Sequence, residues 1–252
     1  MHISPMMFGL LFLGGLFAGF VDSIAGGGGL IALPVILSLG LPPRLALGTN
    51  KLQGCFGTAS SSYNYIRKGK IRLKDYYVGI ACTFMGATLG TWTIQQLNAA
   101  FLDYIIPVLL LVIFLYTLLS PKLGVVEQQA KMPPTLFFTL FGLLLGFYDG
   151  FFGPGAGSFW MAALLIMGGF NMTKAAGITR IMNFTSNIVA VCLFALGGHI
   201  VYPAGICMAL GQILGARLGS NLAMQRGSRF IRPFFLTVVF FTLLKIVYTT
   251  LR

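Results

Sequence analysis

The chain has 252 residues, of which 57% are apolar and only 9% charged, and its net charge is +12; the mean hydropathy is +0.88. This composition excludes a soluble globular domain and places the chain in lipid. The basic excess does not mark nucleic-acid binding, because most Lys and Arg sit in short loops between apolar runs, where they act as topology signals.

Taken in order, the opening Met1-His2-Ile3-Ser4-Pro5 lacks the positive region of a signal peptide, and no small-residue cleavage pattern follows. The first apolar run is therefore expected to stay as a helix. Five segments follow one another: 8–22, a short one at 30–40 after a glycine tract, then 46–66, 75–97 and 101–120. Runs such as 102–119 and 233–251 approach the length of about 20 residues that crosses about 30 Å of hydrocarbon. They are continuously apolar, whereas a transmembrane β-barrel would show short alternating segments. A polar stretch at 121–134, with Lys122, Glu127 and Lys131, ends this half.

Beyond it the pattern recurs. Gly19-Phe20-Val21-Asp22 matches Gly146-Phe147-Tyr148-Asp149, while Gly26 and Gly28 fall on Gly153 and Gly155 at an offset of 127. After two extra residues the offset is 129, pairing Gly48 with Gly177, Lys51 with Arg180, and Gly86-Ala87-x-Leu89-Gly90 with Gly215-Ala216-x-Leu218-Gly219. Matches in this order signal an internal duplication. The loop between the third and fourth segments of the first copy carries Arg67, Lys68, Lys70, Arg72 and Lys74, and its counterpart at 197–203 has no Lys or Arg. The next loop reverses this, with Asp103 in the first copy and Arg226, Arg229 and Arg232 in the second. Equivalent loops thus lie on opposite faces of the membrane, and the copies are inverted.

The fold class expected is an all-α polytopic membrane protein with about 8–10 membrane segments and short broken helices after glycine-rich loops. Residues 1–120 and 135–252 form the two five-segment copies, joined by a cytoplasmic linker at 121–134. An odd number of crossings per copy is required; five crossings satisfy it, and so do three with a re-entrant hairpin made of the first two segments. Taken with five crossings, the two termini are expected on the periplasmic side of the inner membrane.

A charge near the bilayer centre is costly, so it usually faces a cavity and has a partner or ligand. Lys51 and Arg180 occupy equivalent positions beside Thr49, Asn50 and Gln53, and beside Thr179 and Asn183. Two cations facing one cavity make an anion site; alternatively, Asp22 and Asp149 neutralise them in purely architectural ion pairs. Each Asp precedes a glycine tract, Gly26-Gly27-Gly28-Gly29 or Gly153-Pro154-Gly155-Ala156-Gly157, that opens a short apolar segment. This is the layout of a broken helix, whose second half points free N–H groups and its positive dipole end at an anion. Transporters with inverted repeats build midplane sites in this way. The glycines could instead serve close helix packing and the aspartates helix capping.

Arg217 matches Thr88 in the first copy and so breaks the symmetry, Lys245 is expected to snorkel to the headgroups, and His2 and His199 read as solvated. Cys55, Cys82, Cys192 and Cys207 are scattered singly and read as small buried hydrophobes, with no metal site or cofactor implied. HExxH, GxSxG and Walker motifs are absent from the sequence. The enzymatic alternative is an intramembrane aspartyl hydrolase using Asp22 and Asp149, although the second lacks a GxGD setting.

The motifs Ala18-Gly19-Phe20-Val21-Asp22-Ser23-Ile24-Ala25-Gly26-Gly27-Gly28-Gly29, Thr49-Asn50-Lys51-Leu52-Gln53, Gly146-Phe147-Tyr148-Asp149-Gly150-Phe151-Phe152-Gly153-Pro154 and Asn183-Phe184-Thr185-Ser186-Asn187 carry a resemblance. Over its whole length the chain resembles the TauE/SafE family of sulfite-exporter-like permeases, also grouped with 4-toluenesulfonate uptake permeases. The resemblance implies a bacterial inner-membrane permease for sulfur-containing organic or inorganic anions, and it does not name the substrate. The expected function is secondary transport of a small anion by alternating access, with an anion channel as the rival within transport. Lys51, Arg180, Asn50, Gln53, Asn183, Gly26 to Gly29, Gly153, Gly155 and Gly157 are the expected substrate-binding residues, and Asp22 and Asp149 are proton carriers or structural groups. The expected partners are the anionic solute and the bilayer, with a homodimer left open.

Overall fold

The computed structural model describes residues 5–96 and 129–227, together with Pro233 and Thr237. The fifth segment of each copy, most of the linker, and Asp103, Arg229, Arg232, Lys245 and Arg252 lie outside the described residues.

Among the described residues all regular structure is helical. The elements are α1 (Pro5–Ala25), α2 (Gly28–Leu37), α3 (Pro43–Arg67), α4 (Tyr77–Gln96, entered through a 3₁₀ turn at Leu73–Tyr76), α5 (Pro134–Phe151), α6 (Ala156–Ile166), α7 (Met172–Leu196) and α8 (Tyr202–Arg226). Proline marks the first turn of α3, α5 and α8, where its missing N–H costs nothing and its fixed φ suits the helix. Asn171 caps α7 by accepting a hydrogen bond from the Lys174 N–H at 2.9 Å.

Four stretches, Pro5–Ala25, Leu73–Gln96, Pro134–Phe151 and Met172–Leu196, are long and apolar enough to cross a membrane. Outward-facing Leu10, Leu13, Phe17, Leu89, Trp92, Leu210, Leu214 and Leu218 present hydrocarbon to lipid. The molecule is a polytopic helical membrane protein. Helices α2 and α6 have 10 and 11 residues; at about 1.5 Å per residue each covers about half the hydrocarbon thickness. Helix α2 folds back along α1, with Val35 packed on Gly14.

The helices of the two copies interleave. Helix α1 packs along α8 and helix α5 along α4, and both contacts run over glycine seams. A Cβ on Gly86 or Gly90 of α4 would strike the carbonyls of Leu143 or Phe147 in α5. A Cβ on Gly215 or Gly219 of α8 would likewise strike those of Leu16 or Phe20 in α1. Small residues let backbones approach this closely, which in lipid is the main source of helix association.

Three apolar clusters form the core of the described residues. One joins Tyr65, Ile71, Tyr76, Phe137, Phe138 and Met172, a second joins Leu11, Leu39, Leu41, Ala46, Ala204 and Met208, and a third joins Leu47, Leu52, Ile94, Ala190 and Phe194.

Candidate functional site

Helices α1 and α5 both stop short of their partners' length, and glycine causes the break. Gly26, Gly153 and Gly155 have φ of +87°, +98° and +86°, a left-handed backbone that side-chain-bearing residues rarely adopt. The chain there changes direction and starts the half-helices α2 and α6, whose N-termini meet: a Cβ on Gly26 would collide with the backbone of Gly157. A Cβ on Gly153 would lie 2.7 Å from Lys51 Nζ.

The residues beside these breaks are charged, buried and paired across the copies. Lys51 of α3, 2% exposed, donates to the carboxylate and the backbone carbonyl of Asp149 at the end of α5. Arg180 of α7 is fully buried; its Nη1 donates to Asp22 Oδ2 at 2.8 Å and to the Asp22 carbonyl at the end of α1. Each cation of one copy thus meets the carboxylate of the other. The outcome matches the paired arrangement weighed from the sequence, with exchange between copies added.

The two pairs are not equivalent. Asp22 Oδ1 also accepts the Gly28 N–H at 3.1 Å, which ties the carboxylate to the first turn of α2. Asp149 Oδ2 instead accepts the Ser186 hydroxyl. Arg180 Nε and Nη2 have no hydrogen-bond partner among the described residues.

Between the breaks lies a polar cavity of about 30 Å³, room for about two water molecules. Of the residues expected from the sequence, Lys51, Asn50, Gln53, Asn183, Asp22 and Asp149 line it, as do Gly26, Gly29, Gly153, Gly155 and Gly157. Arg180, Gly27 and Gly28 do not; Arg180 reaches the cavity only through Asp22. Gln53 Nε2 donates to Asn50 Oδ1 at 2.8 Å, so these two amides act as one unit of the α3 wall.

Sequence reasoning missed four lining residues, Gly54, Thr58, Asn187 and Gln212, and the Ser186 contact. Thr58 and Asn187 are equivalent positions in the two copies, and Asn187 Nδ2 donates to Thr58 Oγ1 at 3.5 Å. Their register follows from helix geometry: Thr58 lies two turns after Lys51, and Asn187 two turns after Arg180, on the same faces. That spacing was available in the sequence.

Other expectations land elsewhere. Arg217 is exposed on the outer side of α8, away from the cavity. Lys174 lies over the Phe170 ring at 5.5 Å. Cys82 is buried and Cys55 and Cys207 are half-buried, but Cys192 is exposed, because a bundle surface in lipid accepts a small apolar group as readily as a core does. Among the described residues no group of three or more His, Cys, Asp or Glu is placed to hold a metal ion.

Residues 11–246 match the family model described as sulfite exporter TauE/SafE. The chain is 44% identical over 236 residues to the probable membrane transporter protein YfcA of Escherichia coli (strain K12), covering 94% of this chain and 88% of that protein. It is also 44% identical over 248 residues to a probable membrane transporter protein of Haemophilus influenzae, covering 98% of this chain and 97% of that one. A Sinorhizobium relative, probable membrane transporter protein ORF9, is 42% identical over 228 residues, covering 90% of this chain and 87% of that protein. No solved structure matches the chain significantly. With a family model spanning nearly its whole length, and relatives this similar that are themselves named as membrane transporters, the chain belongs to the TauE/SafE family of membrane transporters.

Proposed function

We propose that this protein is a secondary transporter of a small, sulfur-containing anion such as sulfite or a sulfonate, working in the inner membrane by alternating access. The observation that carries the reading is the pair of buried cations, Lys51 and Arg180, held beside two interrupted helices whose N-termini converge on one polar cavity. Broken helices at corresponding positions of two repeats are how secondary transporters hold an anion without its hydration shell. In the resting site Asp22 and Asp149 occupy the cations, and an incoming anion competes with them.

An inverted arrangement of 1–120 and 135–252 about the 121–134 linker completes this reading. In its support, α3 ends beside the start of α5 in the Tyr65 cluster, while α1 begins near the start of α8, where Cys207 Sγ lies 3.3 Å from the Phe8 carbonyl. Helices α1 and α5 therefore start from opposite ends. The exposed basic loop after α3 also meets the C-terminal end of α8, with Lys68 Nζ donating to Asn221 Oδ1 at 2.6 Å. Both basic loops then share one face, which the positive-inside rule makes cytoplasmic.

Hydrolysis is the weaker reading: an aspartyl dyad needs two carboxylates sharing a proton, and here Asp22 and Asp149 are bound to separate cations. The test is uptake of labelled sulfite and a panel of sulfonates by proteoliposomes containing wild type, Lys51→Ala or Arg180→Ala. Saturable flux lost in both variants is the expected result. Flux unchanged by either substitution would reduce the cations to architecture, and flux that never saturates would make the protein a channel.

A further inference from the structure

The two copies contribute unequally to the cavity wall. Helix α3 presents Lys51, Gly54 and Thr58 to it, at spacings of three and four residues that put them on one face. At the offset of 129 the same positions of α7 are Arg180, Asn183 and Asn187, so the second copy carries an amide where the first has no side chain. The half-helices repeat the inequality. Gly29 of α2 lines the cavity, and its counterpart at the offset of 127 is Ala156.

Six glycines belong to the wall, and four of them have a reason in the fold. Gly26, Gly153 and Gly155 hold the left-handed backbone of the breaks, and a Cβ on Gly157 would lie 2.6 Å from Gly26 Cα. Gly29 and Gly54 have neither reason. Their φ is not positive, and both keep accessible surface. Among the described residues a Cβ on either would come no nearer than 3.3 Å to another atom, Pro154 Cα for Gly29 and Asn187 Nδ2 for Gly54. Alanine therefore fits both positions with small adjustments. Gly54 moreover lies in the middle of α3, where glycine is the least favourable residue after proline. The missing side chains leave open space in the cavity, one turn from Lys51 on α3 and beside Asn50 at Gly29. That space is a large share of the whole: a methyl group takes about as much room as one water molecule, and the cavity holds about two.

We propose that Gly54 and Gly29 are specificity-determining residues, whose missing side chains leave the room for the substituent of the transported anion and so set the largest anion that the site accepts. The proposal rests on the transport reading above and gives that site a size limit. An anionic headgroup beside Lys51 brings its substituent against these two walls, and a methyl group added to either wall competes with it for the same space.

The experiment measures how strongly unlabelled methanesulfonate and ethanesulfonate, which carry the same charge and differ by one methylene, compete with uptake of labelled methanesulfonate into proteoliposomes. Relative to wild type, Gly54→Ala and Gly29→Ala are each expected to weaken ethanesulfonate against methanesulfonate by about tenfold, the lower end of what one methylene is worth in a fitted pocket. Gly9→Ala, at an exposed position of α1 where a Cβ would meet nothing within 4 Å, should leave the ratio as in wild type. A substitution that merely loosens the fold weakens both anions alike, so the ratio separates size selection from damage. A ratio unchanged in both cavity variants, or moved as far by Gly9→Ala, would overturn the size limit while leaving transport standing; a ratio unchanged at one position would remove that residue from it. A wild type that takes up no methanesulfonate would overturn the transport reading for this substrate class, and the present inference with it.

Discussion

Lys51 and Asp149 are 2% and 5% exposed at their side chains, so neither charge is relieved by water when its partner goes. Removing one member of a buried pair usually costs about 3–5 kcal/mol, since the other is left uncompensated, whereas replacing both by apolar groups of similar volume is often close to neutral. Lys51→Met or Asp149→Leu alone should therefore lower unfolding stability in detergent by about 3 kcal/mol. The double variant should regain most of it, and its anion flux should stay abolished. Chemical unfolding followed by tryptophan fluorescence, read beside uptake, separates the two contributions. A double variant that transports like wild type would assign the pair to architecture alone. For Arg180 the asymmetry matters further: with Nε and Nη2 unpartnered among the described residues, it has donors left for a ligand that displaces Asp22.

At the scale of elements, the glycine seams decide how closely the copies join. Gly86 and Gly215 are equivalent positions facing carbonyls of α5 and α1 respectively, and overpacking a tight contact costs about 1–3 kcal/mol. Gly86→Val and Gly215→Val should each destabilise the detergent-solubilised protein by a similar amount, measured as loss of the monodisperse gel-filtration peak on heating. A large drop in one with none in the other would mean that the two seams are not equivalent. The helices themselves were legible. The runs 8–22, 46–66 and 75–97 became α1, α3 and α4 with ends moved by a few residues, because length and apolar content are direct consequences of the bilayer. The broken helices were legible too, because each glycine tract follows an aspartate and opens a short apolar segment, although close packing was a second reading of the same glycines. Two things were not legible: that the cations exchange partners between copies, and that Gln212 reaches the cavity. Both depend on α1 packing along α8 and α5 along α4, a contact between distant segments that periodicity does not encode. A lone glutamine in an apolar helix was the available signal, and its burial cost is the reason to have weighed it.

At the scale of the molecule, the net charge is +12, yet the charges around the cavity are balanced among the described residues: Lys51 and Arg180 against Asp22 and Asp149. A balanced centre has a consequence for energetics. If the four groups keep their charges through the cycle, the charge that crosses the membrane is the substrate's own, and an inside-negative potential expels a monoanion with about 2.3 kcal/mol per 100 mV. That corresponds to a concentration ratio of about fiftyfold at equilibrium. Proteoliposomes loaded with labelled methanesulfonate, given a potential of about 100 mV by a potassium gradient and valinomycin, should therefore drain until the internal concentration is about one-fiftieth of that outside. A distribution indifferent to potential would mean that a cation travels with each anion. Asp149, whose carboxylate is held by the side chains of Ser186 and Lys51, would then be the better carrier than Asp22, whose carboxylate is tied to the backbone of α2 through the Gly28 N–H.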